Sequence, residues 1–139
     1  MHRLFIAVAA AALVAGAAQA ETLKFHADLK GASEAPANLS PGTGAMDATL
    51  DTASKVLTYS ATYSGISGPA TAAHFHGPAK PGSNAPPTVP VAKVASPISG
   101  TATLNDDQIS DLKSGMWYFN IHTANVPGGE IRGQVMAAK

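Results

Sequence analysis

The chain has 139 residues, with nine Lys and Arg against nine Asp and Glu, five histidines and no cysteine. A formal charge of zero leaves no basic footprint for nucleic acid. The absence of thiols excludes disulfides, cysteine nucleophiles and thiolate metal ligands, so the chemistry left open is that of imidazole, carboxylate and hydroxyl groups.

Residues 1–20 read as a cleavable signal peptide. Met1-His2-Arg3 is a basic start, Leu4 to Ala18 is an unbroken apolar stretch, and Ala18-Gln19-Ala20 is an A-x-A cleavage pattern. The stretch is shorter than the roughly 20 apolar residues that cross a bilayer, and no cysteine stands at the cleavage point to carry a lipid. The expected product begins at Glu21, has no membrane anchor and is periplasmic or secreted. Residues 21–139 carry a formal charge of −1, Arg3 being the one charged residue removed, and their length suits one domain with a single core.

The elements that follow point to an all-β sandwich or barrel. In Leu23-Lys24-Phe25-His26-Ala27-Asp28-Leu29 apolar and polar residues alternate, which is the period of a half-buried strand and puts His26 on its polar side. Gly44 to Leu50 and Val56 to Tyr63 form a hairpin around the turn-forming cluster Asp51-Thr52-Ala53-Ser54. Ala72 to His76 is a short strand, followed by a long loop from Gly77 to Pro90 that is rich in proline and glycine. Val91 to Val94 and Ile98 to Leu104 read as two further strands separated by Ser96-Pro97. One short surface helix is expected over Asn105 to Lys113, with Asn105 as N-cap and acids in the first turn. That placement explains Asp106 and Asp107 without a catalytic role. Two last strands, Met116 to Thr123 and Glu130 to Met136, flank the loop Ala124 to Gly129, and Glu130 with Arg132 reads as a structural ion pair or turn clamp.

Four histidines remain after export, His26, His74, His76 and His122. Strand alternation projects His74 and His76 from one face and Phe75 from the other. In Trp117-Tyr118-Phe119-Asn120-Ile121-His122 it groups the apolar residues on one side and leaves Tyr118, Asn120 and His122 opposite. If the two strands are neighbours about 4.8 Å apart, three imidazoles can converge on one transition ion. Imidazole ligands suit copper, zinc, nickel or iron; copper(II) ranks first here and zinc second. Tyr118, Asn120 or a backbone carbonyl can supply the hydrogen bond that orients a ligand ring. His26 reads as a surface or packing residue, and Met46, Met116 and Met136 as core filler outside the site. The chain has no G-x-S-x-G elbow that would support a hydrolase triad.

Three segments carry a family resemblance: Leu29 to Pro36, Ala72 to Ala79, and Tyr118 to Thr123 continuing into Pro127-Gly128-Gly129-Glu130-Ile131-Arg132-Gly133-Gln134. In them the chain resembles the CHRD domain family, named for the repeated domain of chordin and found in bacterial exported proteins. The resemblance implies an all-β, Greek-key-like domain with histidines at the positions of His74, His76 and His122. The H-x-H strand is also similar, locally, to the copper-ligand strand of copper-zinc superoxide dismutases. The chain lacks the disulfide cysteines and the histidine-rich zinc loop of that family, and catalysis is not carried over.

The expected function is that of an exported metal-binding protein. It holds copper, with zinc as the second choice, through His74, His76 and His122, and buffers, delivers or senses the ion at a site bordered by the Gly77–Pro90 loop. Two alternatives are a non-catalytic interaction or structural module with a protein partner, and a copper-dependent redox enzyme resembling superoxide dismutase.

Overall fold

The protein is described from a computed structural model that covers residue 10 and residues 19–139. Apart from residues 10, 19 and 20, the expected signal peptide lies outside the described residues. The elements are β1 (Thr22–Lys30), a 3-10 turn (Gly31–Ser33), β2 (Thr43–Asp51), β3 (Val56–Ser64), β4 (Ala70–His76), β5 (Pro87–Pro90), β6 (Ile98–Thr103), α1 (Asp106–Lys113), β7 (Trp117–Thr123) and β8 (Ile131–Ala138).

All eight strands belong to one antiparallel sheet in the order β5-β4-β7-β8-β1-β2-β3-β6. The connections β3–β4, β5–β6 and β6–β7 link strands that are not neighbours, as in a Greek key. In a flat sheet β4 and β3, five places apart, would lie about 24 Å from each other. Instead the rings of Tyr59 on β3 and Phe75 on β4 meet edge to face with centroids 5.1 Å apart, so the sheet curls until its inner face closes on itself. Phe75 also touches Phe119 at 4.9 Å and Trp117 at 5.7 Å, placing it at the centre of the core.

Local chemistry accounts for most of the boundaries. Phe25, Ala27 and Leu29 are buried while Lys24 and Asp28 are exposed, as the alternation in β1 requires. At the β2–β3 turn the Asp51 carboxylate accepts from the amides of Ala53 and Ser54, both at 2.9 Å, and Lys55 takes a left-handed φ of 62°. Helix α1 begins with a complete capping box. The Asn105 side chain accepts from Gln108 N at 2.8 Å, and the Gln108 side chain accepts from Asn105 N at 2.9 Å.

Two expectations about strands are corrected. The segment Gly77–Pro90 is not loop throughout, since Pro87–Pro90 forms strand β5 against β4. Proline is tolerated there because β5 is an edge strand whose outer side needs no ladder bonds, and Val89, opposite Phe75, gives it a buried anchor. Val91–Val94 is not a strand. Val91 and Val94 both pack against the core, and a spacing of three cannot put two side chains on one face of a strand.

Glu130 and Arg132 do not pair with each other; Arg132 Nε instead donates to Glu34 Oε2 at 3.0 Å. Glu130 lies just before β8, fully buried, and its carboxylate clamps three segments. It accepts from Ser40 Oγ at 2.7 Å, from Thr123 Oγ1 at 2.7 Å, from Ser67 N at 2.9 Å and from the Ser67 hydroxyl. Burial pushes its pKa up, but the hydrogen bonds from Ser67, Ser40 and Thr123 outweigh burial and hold the carboxyl below its usual value. The clamp accordingly stabilises the fold in full above the ordinary carboxylate pKa of about 4.3, and that contribution is lost as pH falls through the lower folded value.

Two stability measurements follow. Phe75→Ala should lower the unfolding free energy by about 3–5 kcal/mol in urea denaturation, because it opens the contact on which the barrel closes; a loss below about 1 kcal/mol would contradict this packing. Glu130→Gln, which turns an amide donor toward existing donors, should cost about 2–3 kcal/mol at neutral pH. Its deficit relative to wild type should shrink as both proteins are titrated toward acid, whereas a deficit independent of pH would show that the carboxylate is not the clamp.

Candidate metal centre

Strands β4 and β7 are adjacent and antiparallel, with Phe75 opposite Phe119, His74 opposite Asn120, His76 opposite Tyr118 and His122 opposite Ala72. Phe75, Trp117, Phe119 and Ile121 fill the barrel. The period of two therefore sends His74, His76, Tyr118, Asn120 and His122 to the outer face. His122, paired two residues along from His74, is its diagonal neighbour, close enough for side-chain contact. This face is not open to water throughout, because the loop from Gly77 to Pro86 and the 124–129 turn fold over it. His76, Tyr118 and Asn120 are buried, and His74 and His122 half-buried.

The three imidazoles expected to converge do so. Each offers a nitrogen, and these lie within 4.8 Å of one another. His74 Nδ1 and His122 Nε2 are 3.2 Å apart. His122 Nδ1 stands 2.9 Å from the Pro127 carbonyl, which only accepts, so Nδ1 carries a proton and in the neutral ring Nε2 presents its lone pair. His74 Nδ1–H then donates into that lone pair. His74 Nε2 has no hydrogen-bond partner among the described residues.

His76 is held differently. Its Nδ1 lies 2.9 Å from the Ala85 carbonyl and its Nε2 2.9 Å from Asn120 Oδ1; both oxygens only accept, so the neutral ring donates to one of them according to its tautomer. Its ring stacks on Tyr118 with centroids 4.6 Å apart and planes 6° from parallel, while the Arg132 guanidinium covers the Tyr118 ring at 3.8 Å. Tyr118 Oη hydrogen-bonds to Ala85 N at 3.1 Å, and Arg132 reaches Ser83 O and the Asn84 side chain, so the loop is tied down where it meets His76. Beyond Asn120 lies Glu34, whose Oε1 is buried without a well-formed partner and whose pKa is raised by burial in spite of Arg132.

Electrostatics favour the ligand form of His74 and His76. Burial lowers the pKa of His74, and the neighbouring His122 and His76 lower it further; burial likewise lowers that of His76. Neutral imidazoles keep the lone pairs that a metal needs. Two nitrogens bound to one ion at ~2.0 Å stand about 3.3 Å apart at the tetrahedral angle and about 2.8 Å apart at a right angle. The 3.2 Å His74–His122 spacing matches the tetrahedral edge, so these residues fit a transition ion that takes the place of their hydrogen bond, the His74 proton moving to Nε2.

The remaining histidine, His26, lies on β1, three places from β4 in the sheet. It bridges Asp47 at 2.8 Å and Asp28 at 2.9 Å, and these hydrogen bonds raise its pKa. Of the methionines, Met46 is buried in the core and Met136 is exposed. Alternation identified the three clustered histidines and the side chain of Asn120. It gave no signal for Glu34 or for the carbonyls of Ala85 and Pro127, which reach the cluster from loops.

No match was found among the curated proteins or among the solved structures. No helix among the described residues is long and apolar enough to cross a membrane. The family model of the CHRD domain matches residues 25–135, which takes in every strand except the ends of β1 and β8 as well as all three clustered histidines. The chain belongs to the CHRD domain family.

Proposed function

We propose that this protein is an exported CHRD domain that binds one transition-metal ion, copper ahead of zinc, through His74, His76 and His122, and that it buffers, delivers or senses the ion. The observation that carries this is the 3.2 Å approach of His74 Nδ1 to His122 Nε2 beside a third imidazole, on a face where burial favours the neutral form of His74 and the Pro127 carbonyl anchors His122. A metal would gain two neutral imidazole ligands there once the His74 proton moves from Nδ1 to Nε2. The spacing suits zinc or copper(I) as it stands and copper(II) after the pair closes by a few tenths of an ångström. The half-exposed positions of His74 and His122 leave an outward side on which water or a partner's ligand can complete the coordination sphere.

Family membership also supports a coarser role, an extracellular interaction module, in which the cluster would serve the fold rather than metal traffic. The two readings differ in what the histidines hold together. Competition titration of the purified protein against a chromophoric chelator should give one copper per chain. A variant combining His74→Ala, His76→Ala and His122→Ala should lose that site while keeping the far-UV circular dichroism of the barrel. Equal binding by this variant would overturn the metal-binding reading. Unfolding of the variant, with no copper bound by wild type, would favour the interaction module.

A further inference from the structure

The three imidazoles are not equivalent. His74 and His122 face each other through nitrogens whose only hydrogen-bond partner among the described residues is the other ring, and the far nitrogen of His122 is anchored on Pro127 O at 2.9 Å. An ion enters this pair once the His74 proton moves from Nδ1 to Nε2, and no other hydrogen bond of the pair is broken. His76 has both nitrogens engaged, Nδ1 on Ala85 O and Nε2 on Asn120 Oδ1, each at 2.9 Å. The ring centroids repeat the asymmetry: His74 to His122 is 5.1 Å, His74 to His76 is 5.4 Å, and His76 to His122 is 6.2 Å. The nitrogens of the set span up to 4.8 Å, whereas two atoms bonded to one ion at ~2.0 Å are at most about 4.0 Å apart. His76, the ring farther from His122 and the one whose Nε2 faces an acceptor oxygen, is therefore the ring that must move before it can bind.

We propose that the centre is a two-plus-one site: His74 and His122 form the resident pair, and His76 joins only when its Nε2 exchanges Asn120 for the metal. Asn120 is then a positioning residue that sets whether the ion has two or three imidazoles. This rests on the metal-binding reading above and adds an order to it. The exchange has a defined route in the fold. His76 can turn about its stacked face on Tyr118, which Arg132 and Ala85 hold in place. The released Asn120 amide stays beside Glu34, whose Oε1 lacks a well-formed partner. A third ligand that can be taken up and released suits an ion whose preferred coordination number changes, as copper's does between its two oxidation states, and suits hand-over of the ion to another ligand set.

The test compares single variants loaded with copper(I) or copper(II), read by chelator competition and by X-ray absorption, which counts imidazoles at the metal. His74→Ala and His122→Ala should each weaken binding at least a hundredfold. His76→Ala should keep one ion per chain with a loss of no more than about tenfold, and should lower the imidazole count only in the copper(II) form. Asn120→Ala, which frees Nε2, should bring three imidazoles to both oxidation states and tighten copper(I) binding by about five- to tenfold, the worth of one released hydrogen bond. If Asn120→Ala fails to fold, the comparison of His76→Ala with His74→Ala still decides. Equal losses for those two variants would overturn the two-plus-one order while leaving a three-histidine site in place. Absence of copper from wild type would remove the metal-binding reading and this inference together.

Discussion

Strand β4 sends Phe75 into the barrel and His74 and His76 out of it, and β7 does the same with Phe119 and Ile121 against Asn120 and His122. The antiparallel register locks these two alternations together: Phe75 sits opposite Phe119, and that one pairing fixes where the imidazoles stand relative to each other. A slip of one residue in either strand would exchange inside for outside and bury a histidine among aromatic rings. The core and the candidate site are thus two faces of a single constraint. The closing contact of Phe75 with Tyr59 bears on the histidines as directly as any bond they make.

Around that face the fold uses polar groups where a small β domain has little apolar surface to spare. Glu130 collects Ser40, Ser67 and Thr123, and the buried pair of Arg132 with Glu34 is joined to Ser83 and Asn84 of the loop that covers His76. Burying such charges costs desolvation energy, which only well-made hydrogen bonds offset. What they contribute is position: the segments around residues 34–42, 77–86 and 124–130 carry no regular structure of their own beyond short turns, yet they meet the sheet at fixed points. Two of those points are the carbonyls of Ala85 and Pro127, which orient His76 and His122. In a chain without cysteine these clamps do the work that disulfides do in many exported domains.

Much of this was legible in the sequence, and the reasons are specific. The run from Leu23 to Leu29, the hairpin around Asp51 and the N-cap at Asn105 each rest on chemistry within a few residues, and each stands as expected. His74, His76 and His122 came together because a period of two needs no tertiary knowledge beyond the adjacency of two strands. The edge strand Pro87–Pro90 was hidden because its prolines signal a break everywhere except at a sheet edge, and edges are a property of the whole sheet. Val91 to Val94 resembled a strand in composition, but its valines are spaced for a loop crossing the core. Glu34 lies 98 positions from Arg132 in the chain, and no local pattern ties a carboxylate to so distant a guanidinium. The same is true of the carbonyls on the histidines, since every residue has one and only the folded chain selects among them.

The proposed metal-binding function puts an ion between His74 and His122. The most direct measurement is a crystal structure of the copper-loaded protein with anomalous scattering recorded on both sides of the copper edge. The account predicts one strong peak about 2 Å from His74 Nδ1 and from His122 Nε2. A protein that takes up copper but shows its peak elsewhere, such as beside His26 and its two aspartates, would contradict it.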